Sequence, residues 1–304
     1  MVIVLGASGY IGNAYCKYFD SKGISFRGLS RKDVNYTDGT LLLKSLKEVQ
    51  PDFLINAAGV TGKPNVDACE DRKSECLFAN AVLPGIVQEA CREAKVPWGH
   101  ISSGCIFSGS KNGAEGFSEL DTPNFSFRQN NCSFYSGTKA LGEEALGYSE
   151  LDEGGAPQWH QASEADCYIW RMRMPFDNRD NSRNYLTKLI RYRRLLDVTN
   201  SLSQVQEFVR ATFECWEKRL PLGIYNVTNP GEVTTREVVD LISKAGVCNK
   251  NYEFYKNEEE FMIKAARARR SSCVLDASKL LNAGIHMTEV HEAIEKALEA
   301  WISE

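Results

Sequence analysis

Val2-Ile3-Val4-Leu5-Gly6-Ala7-Ser8-Gly9-Tyr10-Ile11-Gly12 opens the chain and decides its fold. Four apolar residues in a row read as a buried strand. The glycines at 6, 9 and 12 then allow a tight turn that opens a helix. A helix N-terminus offers free N–H groups and positive partial charge, which suits a pyrophosphate. Gly6, Ser8, Gly9, Tyr10, Ile11 and Gly12 are therefore candidates to bind a dinucleotide.

The strand–helix alternation continues from this turn. Ser25–Leu29, Asp52–Asn56 and Pro97–Ser102 read as strands, and Gly39–Val49 and Ser74–Ala94 as helices between them. The expectation is an α/β fold, a Rossmann-type doubly wound parallel sheet. Residues 104–133 read as a long polar loop, Phe134–Gly147 as a helix, 149–166 as a surface insertion, and Cys167–Met172 as a buried strand. Residues 1–172 are expected to form the dinucleotide-binding domain. Residues 173–304 mainly form a small C-terminal lobe for substrate, with about 200–228 returning to the core. Glu237 stands three residues after Thr234, a capping box for a helix over Thr234–Ala245.

Phe134-Tyr135-Ser136-Gly137-Thr138-Lys139-Ala140 carries the chemistry. Tyr135 and Lys139 lie one helical turn apart on one face. A free tyrosine has a pKa of about 10 and is a poor acid–base group at neutral pH. A lysine one turn away is expected to lower it electrostatically. Tyr135 then protonates a carbonyl oxygen as hydride arrives at carbon, and a hydroxyl at the end of the fourth strand, Ser103 before Ser102, holds that oxygen. Ala57-Ala58-Gly59 ends the third strand with small residues, and Asn80 follows in the next helix; all four are cofactor candidates. No clear acidic residue follows the second strand to hold a ribose 2′-OH. Ser30 and Arg31 stand there instead, and Arg31 suits a 2′-phosphate, which favours NADP(H) and leaves NAD(H) open.

The 304 residues carry 36 basic and 40 acidic side chains, a net charge of −4. That balance, without aromatic interleaving of the basic clusters, argues against nucleic acid. No apolar stretch approaches the ~18 residues of a membrane span, and no basic leader precedes the first strand, so a cytoplasmic location is expected. Ten scattered cysteines and four histidines show no metal-ligand spacing, and no metal is expected.

Three segments carry a resemblance: Asn56-Ala57-Ala58-Gly59-Val60-Thr61-Gly62-Lys63-Pro64-Asn65-Val66-Asp67, Gly104-Cys105-Ile106-Phe107 and the Tyr135–Lys139 stretch. Arg171-Met172-Arg173-Met174-Pro175, Arg183-Asn184-Tyr185-Leu186-Thr187-Lys188 and Asn226–Gly231 extend it. With the Gly-x-x-Gly-x-x-Gly turn, the chain resembles the extended short-chain dehydrogenase/reductases. It is most similar to the RmlD-like 4-keto-sugar reductases of nucleotide-rhamnose synthesis, among them the bifunctional 3,5-epimerase/4-reductases. The resemblance implies NADPH-dependent reduction of a UDP- or dTDP-linked 4-keto-6-deoxysugar, and epimerisation in which Cys105 and Lys188 move protons. It implies substrate contacts at Val60, Thr61, Ser103, Cys105 and Asn184, with Arg270 on the diphosphate, and it makes a homodimer an option. The loop at 108–133, lengthened by residues 126–131, and the insertion at 149–166 depart from the family pattern and are expected to alter which sugar nucleotide fits. Three rival readings follow: a plain 4-reductase without epimerase activity, a non-catalytic dinucleotide-binding regulatory subunit, and an epimerase or dehydratase that recycles its NAD, against which Ser103-Gly104-Cys105 stands where dehydratases carry an acidic pair. The complete Ser103, Tyr135 and Lys139 set argues against the second.

Overall fold

The computed structural model describes residues 1–111, 113, 115–147, 149–151, 157–159 and 166–303. Its centre is a six-stranded parallel sheet. The strands are β1 (Val2–Leu5), β2 (Phe26–Leu29), β3 (Phe53–Asn56), β4 (Trp98–Ser103), β5 (Tyr168–Met172) and β6 (Gly223–Asn226). Their spatial order is β6-β5-β4-β3-β1-β2. The order reverses between β1 and β3, and the crevice beyond that switch point is where doubly wound sheets bind ligands. The first residues of β1 pair with both neighbours, Val2 with Phe26 and with Phe53. β1 and β3 are buried along their whole length, as strands covered on both faces must be.

Two apolar cores sandwich the sheet. One contains Tyr15, Phe19, Phe53, Trp170, Phe208 and Phe213, and the other Ile3, Leu5, Leu42, Leu54, Val87 and Ile169. Helix Val205–Glu217 belongs to the first of these layers. Its Phe213 meets Phe19 of helix Tyr10–Lys22 with ring centroids 4.9 Å apart, and Thr212 meets the Tyr15 hydroxyl at 2.5 Å. A third core lies outside the sheet, where Leu186, Leu189, Val238, Ile242, Ile294 and Leu298 pack together. They come from helices Tyr185–Arg191, Thr235–Lys244 and Val290–Glu299. The capping box expected at Thr234 forms, with Glu237 returning the bond to the Thr234 backbone.

Three segments differ from expectation. The long helix over 74–94 is interrupted by a π-helical turn at Phe78–Val82. Pro84 has no N–H to give the carbonyl of Asn80, so the ladder opens there. Gly142 of the neighbouring helix fills the space, and a Cβ on it would lie 2.2 Å from that carbonyl oxygen. The loop after β4 is not free: Gly109 bridges Cys273 and Phe117 bridges Leu275, with Phe107 stacked on Phe117 at 4.6 Å. The insertion at 149–166 contains a short antiparallel pair, Ser149–Leu151 with Pro157–Trp159. The remainder of that insertion lies largely outside the described residues.

Candidate active site

A cleft of about 2020 Å³ runs along the C-terminal ends of the strands, past the glycine turn and toward the lobe. The turn is built by exclusion. Gly6 has φ +73°, and a Cβ there would lie 2.8 Å from the Ala58 backbone. A Cβ on Gly12 would lie 2.2 Å from the Gly6 oxygen. Gly6 and Gly12 therefore hold the turn closed from behind. Ser8, Gly9, Tyr10 and Ile11 line the cleft, and Ala57, Ala58 and Gly59 line it from the end of β3. Ser30 and Arg31 stand at the end of β2 outside the cleft walls. Ser30 donates to Asp33 at 2.6 Å, and Arg31 lies near Tyr36, whose hydroxyl meets the Gly6 backbone.

Asn80 does not face the cleft. It is fully buried, accepts from the Val60 N–H at 2.9 Å and donates to the Val60 carbonyl at 2.8 Å. It also donates to Thr138 Oγ1 at 3.2 Å. Asn80 thus fixes the loop after β3 to the Tyr135 helix and is not among the residues that line the cleft.

Helix Phe134–Ala145 presents Tyr135 and Lys139, and Ser133 caps it by accepting from the Ser136 N–H at 3.1 Å. Ser103 follows at the end of β4 and accepts from the Cys105 N–H at 3.2 Å. Ser103, Cys105, Tyr135 and Lys139 all line the cleft. Lys139 Nζ donates to the Ile101 carbonyl at 3.0 Å. Burial pushes the Lys139 pKa down, opposed by Cys105, Glu143 and Cys76. Burial likewise pushes the Tyr135 phenol well above its ordinary value; Cys105 adds to this and the Ser103 hydroxyl opposes it. This corrects the expected direction for Tyr135. Desolvation of the buried phenol is the largest cause, and the hydrogen bond with Ser103 only partly offsets it.

The same helix carries a residue whose role the sequence did not reveal. Glu143 is fully buried against Arg171 of β5, which donates from Nε at 3.1 Å and from Nη2 at 2.7 Å to Oε2. Ser102 also donates to Glu143. Arg171 in turn covers the ring of Phe107 at 5.1 Å. One buried ion pair therefore ties together the Tyr135 helix, the end of β4 and the segment that carries Cys105. A Glu one turn after Lys139 was the available signal, but its partner lies on a distant strand.

Cys105 is buried beside Tyr135, Cys69 and Cys76. Burial pushes its thiol up, while hydrogen bonds from Ser103 and Ser136 and the charges of Arg173 and Lys139 pull it down. Cys105, Cys69 and Cys76 form no disulfide with one another. Among the described residues no cluster of His, Cys, Asp or Glu suits a metal, and no helix is long and apolar enough to cross a membrane.

The lobe side of the cleft is cationic. Lys188 lines it, and burial with the neighbouring charges of Arg183 and Arg270 pushes its amine down. Arg183 donates to Thr61 Oγ1 at 2.6 Å and to the Gly62 carbonyl at 2.5 Å. Asn184, expected to touch substrate, is turned away. It accepts from the Leu186 N–H at 3.0 Å and donates to the Asp177 and Arg179 carbonyls, which uses its amide within its own turn. Arg191, Arg193 and Arg194 are each paired, with Asp180, Glu253 and Glu260. Residues 126–131 do not reach the cleft. Phe127 instead covers Gly137, where a Cβ would lie 2.3 Å from the ring, and Arg128 pairs with Glu144 at 2.7 Å.

Comparison with known proteins agrees with this architecture. A bifunctional dTDP-4-dehydrorhamnose 3,5-epimerase/dTDP-4-dehydrorhamnose reductase of Arabidopsis thaliana is 32% identical over 299 residues, covering 97% of this chain and 91% of that protein. A trifunctional UDP-glucose 4,6-dehydratase/UDP-4-keto-6-deoxy-D-glucose 3,5-epimerase/UDP-4-keto-L-rhamnose-reductase of the same plant is 33% identical over 300 residues. The chain spans 41% of that longer relative. Among solved structures, the L780 UDP-rhamnose synthase of Acanthamoeba polyphaga mimivirus has the same fold, with TM-score 0.85, 23% identity and 98% of both chains covered. A dTDP-4-dehydrorhamnose reductase of Clostridium acetobutylicum superposes with TM-score 0.78 at 20% identity, again over 98% of both chains. The RmlD substrate binding domain matches residues 1–302, and the chain belongs to that family.

Proposed function

We propose that the protein is an NADPH-dependent reductase of a nucleotide-linked 4-keto-6-deoxysugar that also epimerises the sugar at C3 and C5. The observation that carries this is the meeting of Ser103, Tyr135 and Lys139 with Cys105 and Lys188 in one cleft. The printed activities of the plant relatives support it. The cradle at Gly6, Gly9 and Gly12, which any Cβ would crowd, fits a dinucleotide pyrophosphate at the helix start. Bound there, a nicotinamide cofactor supplies the hydride. The preference for NADPH rests on Arg31, a cation that directly follows β2 and Ser30.

The chain's own residues supply the protons. Tyr135 donates its phenolic proton to the C4 oxygen, while the Ser103 hydroxyl holds that oxygen by a hydrogen bond. Lys139, anchored on the Ile101 carbonyl, keeps positive charge beneath the site. Before reduction, the 4-keto group acidifies the protons at C3 and C5. Lys188, with its pKa lowered, is suited to take such a proton as a neutral amine. Cys105, with its thiol pKa raised, is suited to return one. Arg270 faces the diphosphate.

An NMR time course in D₂O tests the reading, using UDP- and dTDP-4-keto-6-deoxyglucose with and without NADPH. Deuterium entering C3 and C5, lost in Cys105→Ala, followed by NADPH-dependent reduction, is the expected result. Reduction without exchange leaves a plain 4-reductase, and neither event on either substrate removes the proposal.

A further inference from the structure

The segment that brings Arg270 to the cleft has little apolar anchorage. Helix Glu258–Ala265, which begins it, has no buried residue. Polar contacts attach it instead. Glu260 pairs with Arg194 at 3.0 Å, and Arg267 pairs with Asp71 at 2.7 Å. Arg270 lies over Phe261 at 5.7 Å.

The centre of this attachment is Asp67, which comes from the other side of the cleft, in the loop after β3. Its Oδ1 accepts from the N–H of Ala268 at 2.9 Å, the N–H of Arg267 at 3.2 Å and Arg270 Nη1 at 2.8 Å. Its Oδ2 accepts from Arg270 Nη2 at 2.7 Å. The Asp67 and Arg270 side chains are 17% and 23% exposed, so water screens the pair less than a surface pair. Arg270 lines the cleft and Asp67 does not. Burial alone raises the Asp67 pKa, but Arg270 and the two N–H donors overcome this and hold it below the ordinary value. The carboxylate is thus charged at neutral pH.

One carboxylate therefore fixes the backbone at 267–268 and, with the Ala268 carbonyl that accepts from Arg270 Nη1 at 2.6 Å, the direction of the Arg270 fork. The loop that carries it is fixed in turn: Asn80 holds Val60 to the Tyr135 helix, and Arg183 holds Thr61 and Gly62. We infer that Asp67 is a positioning residue for anion binding: it sets Arg270 across the cleft at the place where the substrate diphosphate lies. A bidentate fork held in advance loses less freedom when a phosphate arrives. Asp67 touches no substrate itself. The inference rests on the reading of the cleft as a nucleotide-sugar site and adds a residue to it.

The test measures binding of UDP and dTDP by calorimetry, and kcat and KM for the keto-sugar, in the parent, Asp67→Asn, Asp67→Ala, Arg270→Ala and the double Asp67→Ala/Arg270→Ala. Asp67→Asn keeps Oδ1 for the two N–H bonds and guards against loss of folding. The expected result is that Kd for the preferred nucleotide and KM rise about tenfold in Asp67→Ala, with a far smaller change in kcat. The double variant is expected to be no weaker than Arg270→Ala alone, because both changes remove one contact. Unchanged or tighter binding in both Asp67 variants overturns the inference, the tighter case meaning that Asp67 competes with the anion for Arg270. Fully additive losses also overturn it. Those outcomes leave reduction by the parent protein intact. A parent that binds neither nucleotide and reduces neither keto-sugar overturns the functional reading, and this inference falls with it.

Discussion

Acid should weaken this fold through His100, at a rate set by one proton. His100 lies in β4, is 1% exposed, and sits near Lys139. Asn56 Oδ1 accepts from the Ala58 N–H, so its amide nitrogen is the atom that faces His100 Nδ1, at 3.2 Å. The Asn56 amide then donates and His100 Nδ1 accepts, so the ring must be neutral. Burial, with the charge of Lys139, lowers the His100 pKa well below its ordinary value of 6.5. The unfolded chain therefore takes up a proton near pH 6.5 that the folded chain refuses. Stability contributed by the neutral ring is full above the unfolded pKa and falls as pH drops below it, by about 1.36 kcal/mol per unit once well below that pKa. Between pH 6 and pH 5 the loss is about 1 kcal/mol. Urea denaturation at both pH values, in the parent protein and in His100→Asn, isolates it, because every other titrating group is common to both. The parent should lose about 1 kcal/mol more than the variant over that interval. Parallel losses would show that folding does not exclude the proton from His100.

Two further substitutions probe the scaffold of the site. Glu143→Ala removes one half of a buried ion pair, and urea denaturation should show a loss of about 3–5 kcal/mol, with Glu143→Gln losing less. A loss under about 1 kcal/mol would mean that the pair does not order the site. Gly12→Ala places a Cβ 2.2 Å from a backbone oxygen that cannot turn aside. NADPH affinity, followed by fluorescence titration, should fall at least about tenfold, and an unchanged affinity would refute the cradle.

The parts of the fold that local sequence dictates were legible. β1, the glycine turn and the Tyr135 helix each follow from residues adjacent in the chain. Their convergence on one cleft was legible too, because a parallel sheet collects the residues at its strand ends on one edge. The parts that failed depend on partners distant in sequence. Asn80 and Asn184 are polar residues beside motif segments, and nothing local shows that one bonds a loop and the other closes its own turn. Glu143 needs Arg171, and Asp67 needs Arg270; neither pairing leaves a trace in spacing. Phe127 lies in a loop that departs from the family pattern, yet it covers Gly137 on the side of the helix away from the cleft. The π-helical turn had a local sign in Pro84, but its effect became visible only with Gly142 packed against it.

The protonation of Tyr135 shows most clearly what burial changes. Spacing alone argues for a phenol made more acidic by Lys139. In the folded protein the phenol is pushed up and the lysine down by the same desolvation. For the proposed direction of reaction this is no obstacle. A reductase needs Tyr135 to begin with its proton, and a raised pKa ensures that it does. The proton leaves only when hydride arrival turns the carbonyl oxygen into an alkoxide, which is a stronger base than phenolate. Lys139 then matters less as a device that ionises the free phenol than as a charge that steadies the phenolate after transfer. Glu143 and the Ile101 carbonyl both favour the charged lysine, which is the form that this role requires.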